Sequence, residues 1–147
     1  MKEYLGVAAI IVYDRKLLLM LRDNFARRHP GRWALVGGKL EPGENFDAAI
    51  RRELKEEIGI VPEQLVEIAE YAHIDPDAAG KWSKFYFSVL TKDEYDKINK
   101  GEEGEKIDFF SIEELADLNP VGLILQNPER LEILKKMITT QKPISGL

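Results

Sequence analysis

The sequence predicts an α+β layered domain, and three observations carry that prediction. Strand-like segments come first, then one well-marked helix, then further strands and a terminal helix, an order unlike a regular βαβ array. The 147 residues fit one ordinary domain, taken as 1–147, with no linker, repeat or low-complexity tract to divide it. Apolar residues make up 44% of the chain and are spread from end to end, enough for a sizeable core.

Tyr4–Tyr13 (YLGVAAIIVY) is short, β-branched in its second half and stopped by Asp14-Arg15, and Lys16–Leu21 (KLLLML) resumes at once. Two strands joined by a tight turn follow. From Arg22 to Arg32 the chain turns polar and basic and forms a loop, after which Trp33–Val36 is a third strand ended by Gly37 and Gly38. Pro42-Gly43 makes a further turn, and Asn45 caps a helix that runs to about Ile58, where Gly59 and Pro62 stop it. Gln64–Ile74 and Trp82–Thr91 form an antiparallel pair across the turn-rich DPDAAGK. Ile107–Phe110 is another short strand, Ser111 with Glu114 has the form of a capping box, and Asn127-Pro128 opens a last helix to about Thr140.

Charge and composition narrow the function. With 21 Lys and Arg against 26 Asp and Glu, the net charge is −5, and no long basic run exists to attract nucleic acid or an anionic membrane. A small anionic metabolite needs only a local cluster. The absence of cysteine removes disulfides, thiolate metal sites and Cys nucleophiles. No charged leader with a cleavable apolar region is visible, nor any apolar run of membrane-spanning length, so the cytosol is the expected compartment.

Gly38–Ile60 reads GKLEPGENFDAAIRRELKEEIGI and holds more carboxylates than a structural helix needs. Spacings of three and four residues bring Glu53, Glu56 and Glu57 to one arc of the helix, beside the apolar face of Phe46, Ala49, Ile50, Leu54 and Ile58. Such crowded like charges call for a cation. Hard oxygen ligands suit Mg²⁺ or Mn²⁺, ions that bridge carboxylates to substrate phosphates. Taken alone, the same acids also fit a solvated face neutralised by Arg51, Arg52 and Lys55.

The whole constellation decides between them. The segment resembles the Nudix box, Gx5Ex7REUxEExGU with U bulky and apolar, at Gly38, Glu44, Arg52, Glu53, Leu54, Glu56, Glu57, Gly59 and Ile60 without insertion. One departure lies outside it, Val36 standing where many members have proline. The resemblance implies a mixed β-sheet sandwiched between helices in α/β/α layers. It also implies metal-dependent hydrolysis of a nucleoside diphosphate linked to another group, water attacking a phosphorus.

On that resemblance Glu53, Glu56 and Glu57 are the metal ligands, with the Gly37 carbonyl a further candidate. Glu53 is a candidate base and Arg52 holds it in place. Glu44, at the start of the helix, takes either a structural or a metal-binding role. The acidic loop Lys100–Lys106 offers Glu102, Glu103 and Glu105, of which Glu102 and Glu105 are preferred as a residue reaching the metals or activating water. Arg22 and the cluster Arg27, Arg28, His29 and Arg32 are candidates for holding phosphate, each against a solvated alternative. Trp82, Tyr71, Tyr86 and Phe25 are weighed as base-stacking residues against core positions, while Trp33 and His73 are expected to be structural. The substrate stays open among ordinary or modified nucleoside triphosphates, sugar nucleotides, ADP-ribose and dinucleoside polyphosphates. A homodimer stays open too, and a sensor of the same fold that binds nucleotide without turnover is the alternative from another class.

Overall fold

Strands buried on both faces must be apolar at nearly every position, and the first hairpin meets that demand. In the computed structural model, which describes residues 2–23, 31–72, 80–101, 106–118 and 127–144, β1 is Glu3–Tyr13 and β2 is Lys16–Leu21. Asp14 and Arg15 both take positive φ, 50° and 56°, giving a tight turn whose twist suits a two-residue hairpin. Alternate side chains then diverge: Val7, Ala9, Ile11, Leu18 and Met20 face one side, and Ile10, Val12, Leu17 and Leu19 the other.

The expected third strand divides in two. Trp33–Ala34 (β3) pairs with β2, whereas Val36–Lys39 (β4) pairs with β1, so the chain steps across the wedge where β1 and β2 splay apart. Gly37 and Gly38 lie inside β4 instead of ending the strand, and the reason is steric. Gly37 has φ 144°, and a Cβ there would overlap the Val7 carbonyl oxygen, while a Cβ on Gly6 would overlap that of Gly38. Only glycines let β4 lie this close to β1.

Beyond α1 (Phe46–Ile58) come β5 (Val66–Ala72) and β6 (Lys81–Val89), an antiparallel pair as expected, and β6 runs parallel to β1. The sheet order is β3-β2-β1-β6-β5, with β4 added to β1 and β7 (Lys106–Phe110) added to β2. A short helix not anticipated, α2 (Lys92–Asp96), starts from a capping box of Thr91 and Glu94; α3 (Ile112–Asp117) uses the predicted Ser111–Glu114 box. The last helix, α4 (Pro128–Thr140), has the predicted Asn127 cap and ends at Gln141.

Helices α1 and α4 cover opposite faces of the sheet. Ala49, Ile50, Leu54 and Ile58 of α1 pack with Val7, Ala9, Ile11, Val36 and Tyr86, and Leu134, Met137 and Ile138 of α4 pack with Ile10, Leu17, Tyr71, Phe85 and Phe110. The layers are those of an α/β/α sandwich. Among the described residues no helix is long and apolar enough to cross a membrane.

Candidate active site

Helix α1 begins and ends where its sequence says it should. Asn45 accepts the Ala48 N–H, and Gly59 adopts the left-handed conformation with φ 77°. Within it the buried positions are Ala49, Ile50, Glu53, Leu54, Glu57 and Ile58, so the stripe that packs on the sheet carries two carboxylates. Glu57 is only 1% exposed and Glu53 only 7%. Acids are seldom buried this far without partners. Glu57 accepts the Gly37 N–H at 2.7 Å, and Glu53 accepts from Arg52 Nη1 at 2.9 Å. A Cβ on Gly38 would overlap the Glu53 carboxylate, so the absence of a side chain there makes room for that acid.

Arg52 is the hub of the cluster. Its Nε and Nη2 donate to the two oxygens of Glu44, at 2.7 and 2.9 Å, in a bidentate pair. Nη2 also donates to the Lys39 carbonyl at 3.1 Å, while Nη1 reaches Glu53 and, at 3.4 Å, Glu56. The fixed fork of a guanidinium serves several acceptors at once; a lysine ammonium could not reproduce it. These hydrogen bonds, that of Glu44 foremost, raise the Arg52 pKa, so the group stays a cation. In return Arg52, helped by the Glu41 N–H, holds the Glu44 carboxyl well below its ordinary 4.5, at about 2. Glu44 is thus tied to Arg52 through both of its oxygens.

Glu56 differs from its two neighbours. Its side chain is 51% exposed and touches Arg52 weakly. Among the described residues no three His, Cys, Asp or Glu side chains gather closely enough to hold an ion, and Glu56 is turned toward Arg52. The donor chemistry nevertheless fits a hard cation. Two buried carboxylates lie on one helical stripe with glycines opposite them and a third carboxylate on the same turn.

The remaining expected residues are dispersed. Arg22 follows β2 directly, and its N–H donates to the Arg32 carbonyl at 2.9 Å, tying together the ends of the basic loop. Arg27, Arg28, His29 and Phe25 lie outside the described residues, as do His73 and the acidic residues Glu102, Glu103 and Glu105. Trp82 stands on β6 beside Tyr4, with the Lys2 ammonium 4.2 Å from its ring centroid. Tyr71 and Tyr86 are buried in the two cores, and Trp33 meets Phe110 edge-on at 4.8 Å. Reading residue types missed Gly6 and Gly101. A glycine within a strand of β-branched residues is a usable signal for Gly6, whereas Gly101 looks like any loop glycine until the helix beside it is seen.

Known proteins resemble this chain in sequence and in fold. A family model for the NUDIX domain matches residues 3–132. An ADP-ribose pyrophosphatase from Methanocaldococcus jannaschii is 31% identical over 113 residues, covering 77% of this chain and 64% of that enzyme. The nucleoside triphosphatase NudI from Escherichia coli is 36% identical over 100 residues, covering 63% of this chain and 69% of its own. The matches to the nucleoside triphosphatases NudI of a second Escherichia coli strain and of Salmonella arizonae span under half of those proteins, 42% and 45%. A crystal structure of a MutT NUDIX hydrolase from Burkholderia pseudomallei superposes with a TM-score of 0.72 and 25% identity, over 90% of this chain and 98% of that one. With the box intact on α1 and the sheet and helices in matching places, this chain belongs to the NUDIX domain family.

Proposed function

We propose that the chain, acting as one domain, hydrolyses a nucleoside diphosphate linked to a further group by attack of water on phosphorus, with Mg²⁺ or Mn²⁺ bound by Glu53, Glu56, Glu57 and the Gly37 carbonyl. The observation that carries this reading is the burial of Glu53 and Glu57 on the packed face of α1 against Gly37 and Gly38. A solvated acidic face would leave both acids in water. A divalent cation bound there supplies neutralisation of phosphate oxygens and a lowered pKa for water.

This chain's own residues do the rest. Arg52 fixes the Glu53 carboxylate through Nη1, which supports Glu53 as the group that orients or deprotonates the attacking water; Glu102 or Glu105 would share that task from the loop ahead of β7. Arg22, at the end of β2, and Arg27 and Arg28 further along would receive the phosphate chain, and Trp82 is retained as a stacking candidate for the base. The named relatives favour ADP-ribose and nucleoside triphosphates as the first substrates to try, compounds that share the diphosphate. The cytosol is the compartment this reading expects.

The test is a panel of ADP-ribose, nucleoside triphosphates, sugar nucleotides and dinucleoside polyphosphates assayed with Mg²⁺ for nucleotide product. At least one should be turned over well above the uncatalysed rate. Binding of panel members without turnover of any would assign the chain to the sensors.

A further inference from the structure

Helices leave their last carbonyls without intrahelical partners, and the last turn of α1 is the one that carries Glu56 and Glu57. Here that turn is closed from outside. The Asn99 N–H donates to the Ile58 carbonyl at 2.8 Å, and the Gly101 N–H donates to the Glu57 carbonyl at 3.1 Å. Gly101 lies so close that a Cβ would overlap the Glu56 carbonyl oxygen and stand 3.8 Å from the Glu57 Cα. Unlike Gly37 or Gly59, Gly101 does not take a left-handed φ, so its requirement for glycine comes from the helix backbone lying against it.

We infer that Gly101 is a positioning residue. By docking the segment Asn99–Gly101 on the end of α1, it holds the backbone of Glu56 and Glu57 at the depth where their carboxylates can share a divalent cation. The inference rests on the metal-binding role proposed above for those two residues. Any side chain at 101 must push the segment off the helix or push the last turn of α1 along the sheet. Either movement displaces Glu57, whose carboxylate is fixed at its other end by the Gly37 N–H.

The experiment compares Mn²⁺ binding, by the electron paramagnetic resonance of the free ion, in wild type, Gly101→Ala and Gly80→Ala. Gly80 is a fair control: its φ of 84° strains any side chain, yet nothing lies within 4 Å of a Cβ there. Gly101→Ala should bind Mn²⁺ roughly tenfold or more weakly, the scale on which supports of metal ligands act, while Gly80→Ala stays within about twofold of wild type. Equal affinity of Gly101→Ala and wild type, or an equal loss in Gly80→Ala, would overturn the inference and leave the proposed function standing. A wild type that binds no Mn²⁺ overturns both. Should Gly101→Ala fail to fold, amide exchange in the wild type decides. Mg²⁺ at about a hundred times its Kd should slow exchange of the Asn99 and Gly101 N–H groups by at least about tenfold, because the ion binds only the closed turn, and unchanged exchange refutes the role.

Discussion

At the scale of single residues, the site is a negotiation between burial and charge. Glu57 has almost no contact with solvent and keeps the Gly37 N–H as a partner, an arrangement that costs stability unless something else needs the charge. Glu57→Gln keeps an oxygen for that N–H while removing the charge. It should leave Tm unchanged or raise it, yet cut kcat by about 100-fold or more, beyond the loss usual for a residue that only supports a ligand. A variant that is destabilised but fully active would reverse the assignment. Glu44 gives a second handle. Its pKa falls from 4.5 to about 2 on pairing with Arg52, so folding gains stability from it above pH 4.5 and loses that gain as the pH falls toward 2. Urea midpoints for Glu44→Gln should therefore change less steeply with pH over that window than those of the wild type. Parallel curves would mean that the pair contributes nothing to folding.

At the scale of elements, α1 joins the core to the site, and its legibility in the sequence shows what pattern can and cannot tell. The Asn45 cap, the Gly59 stop and the three-and-four spacing of the acids were all readable, because they are local to the helix. Arg52 was readable only as part of a motif; its bidentate grip on Glu44 spans a turn and a loop. Trp33–Val36 was readable as extended chain, but its division between two partner strands was not. That division follows from the splay of β1 and β2, a tertiary matter. Helix α2 has the same capping-box signal as α3, at Thr91 and Glu94, but the strand-like run before it continues in the sequence up to Thr91 and hides where the helix begins. Leu54, fully buried one residue along from Glu53, is the position that ties helix packing to ligand placement. Leu54→Ala should cost about 2–5 kcal/mol of unfolding free energy, measured by denaturant titration. It should also lower activity more than an equally destabilising truncation of Leu134 on α4, at the far face. Equal activity in the two variants would separate the site from the packing of α1.

At the scale of the whole molecule, the two cores have different duties. The face under α4 buries apolar side chains together with the neutral Ser83 opposite Tyr71, whereas the buried carboxylates among the described residues, Glu53 and Glu57, lie at the margin of the face under α1, beside the glycines of β4. Gly6 under Gly38, Gly38 under Glu53 and Gly101 behind Glu56 let strand, helix and loop backbones approach more closely than side chains would allow. Stability and chemistry are thus divided between the two sides of one sheet. The acidic helix makes sense as a functional element only if a cation completes it, and that claim can be met directly. Turnover of the best substrate from the panel, measured after dialysis against excess EDTA and again after Mg²⁺ is restored, should vanish and then return in full. Undiminished hydrolysis in the presence of the chelator would contradict the account at its centre.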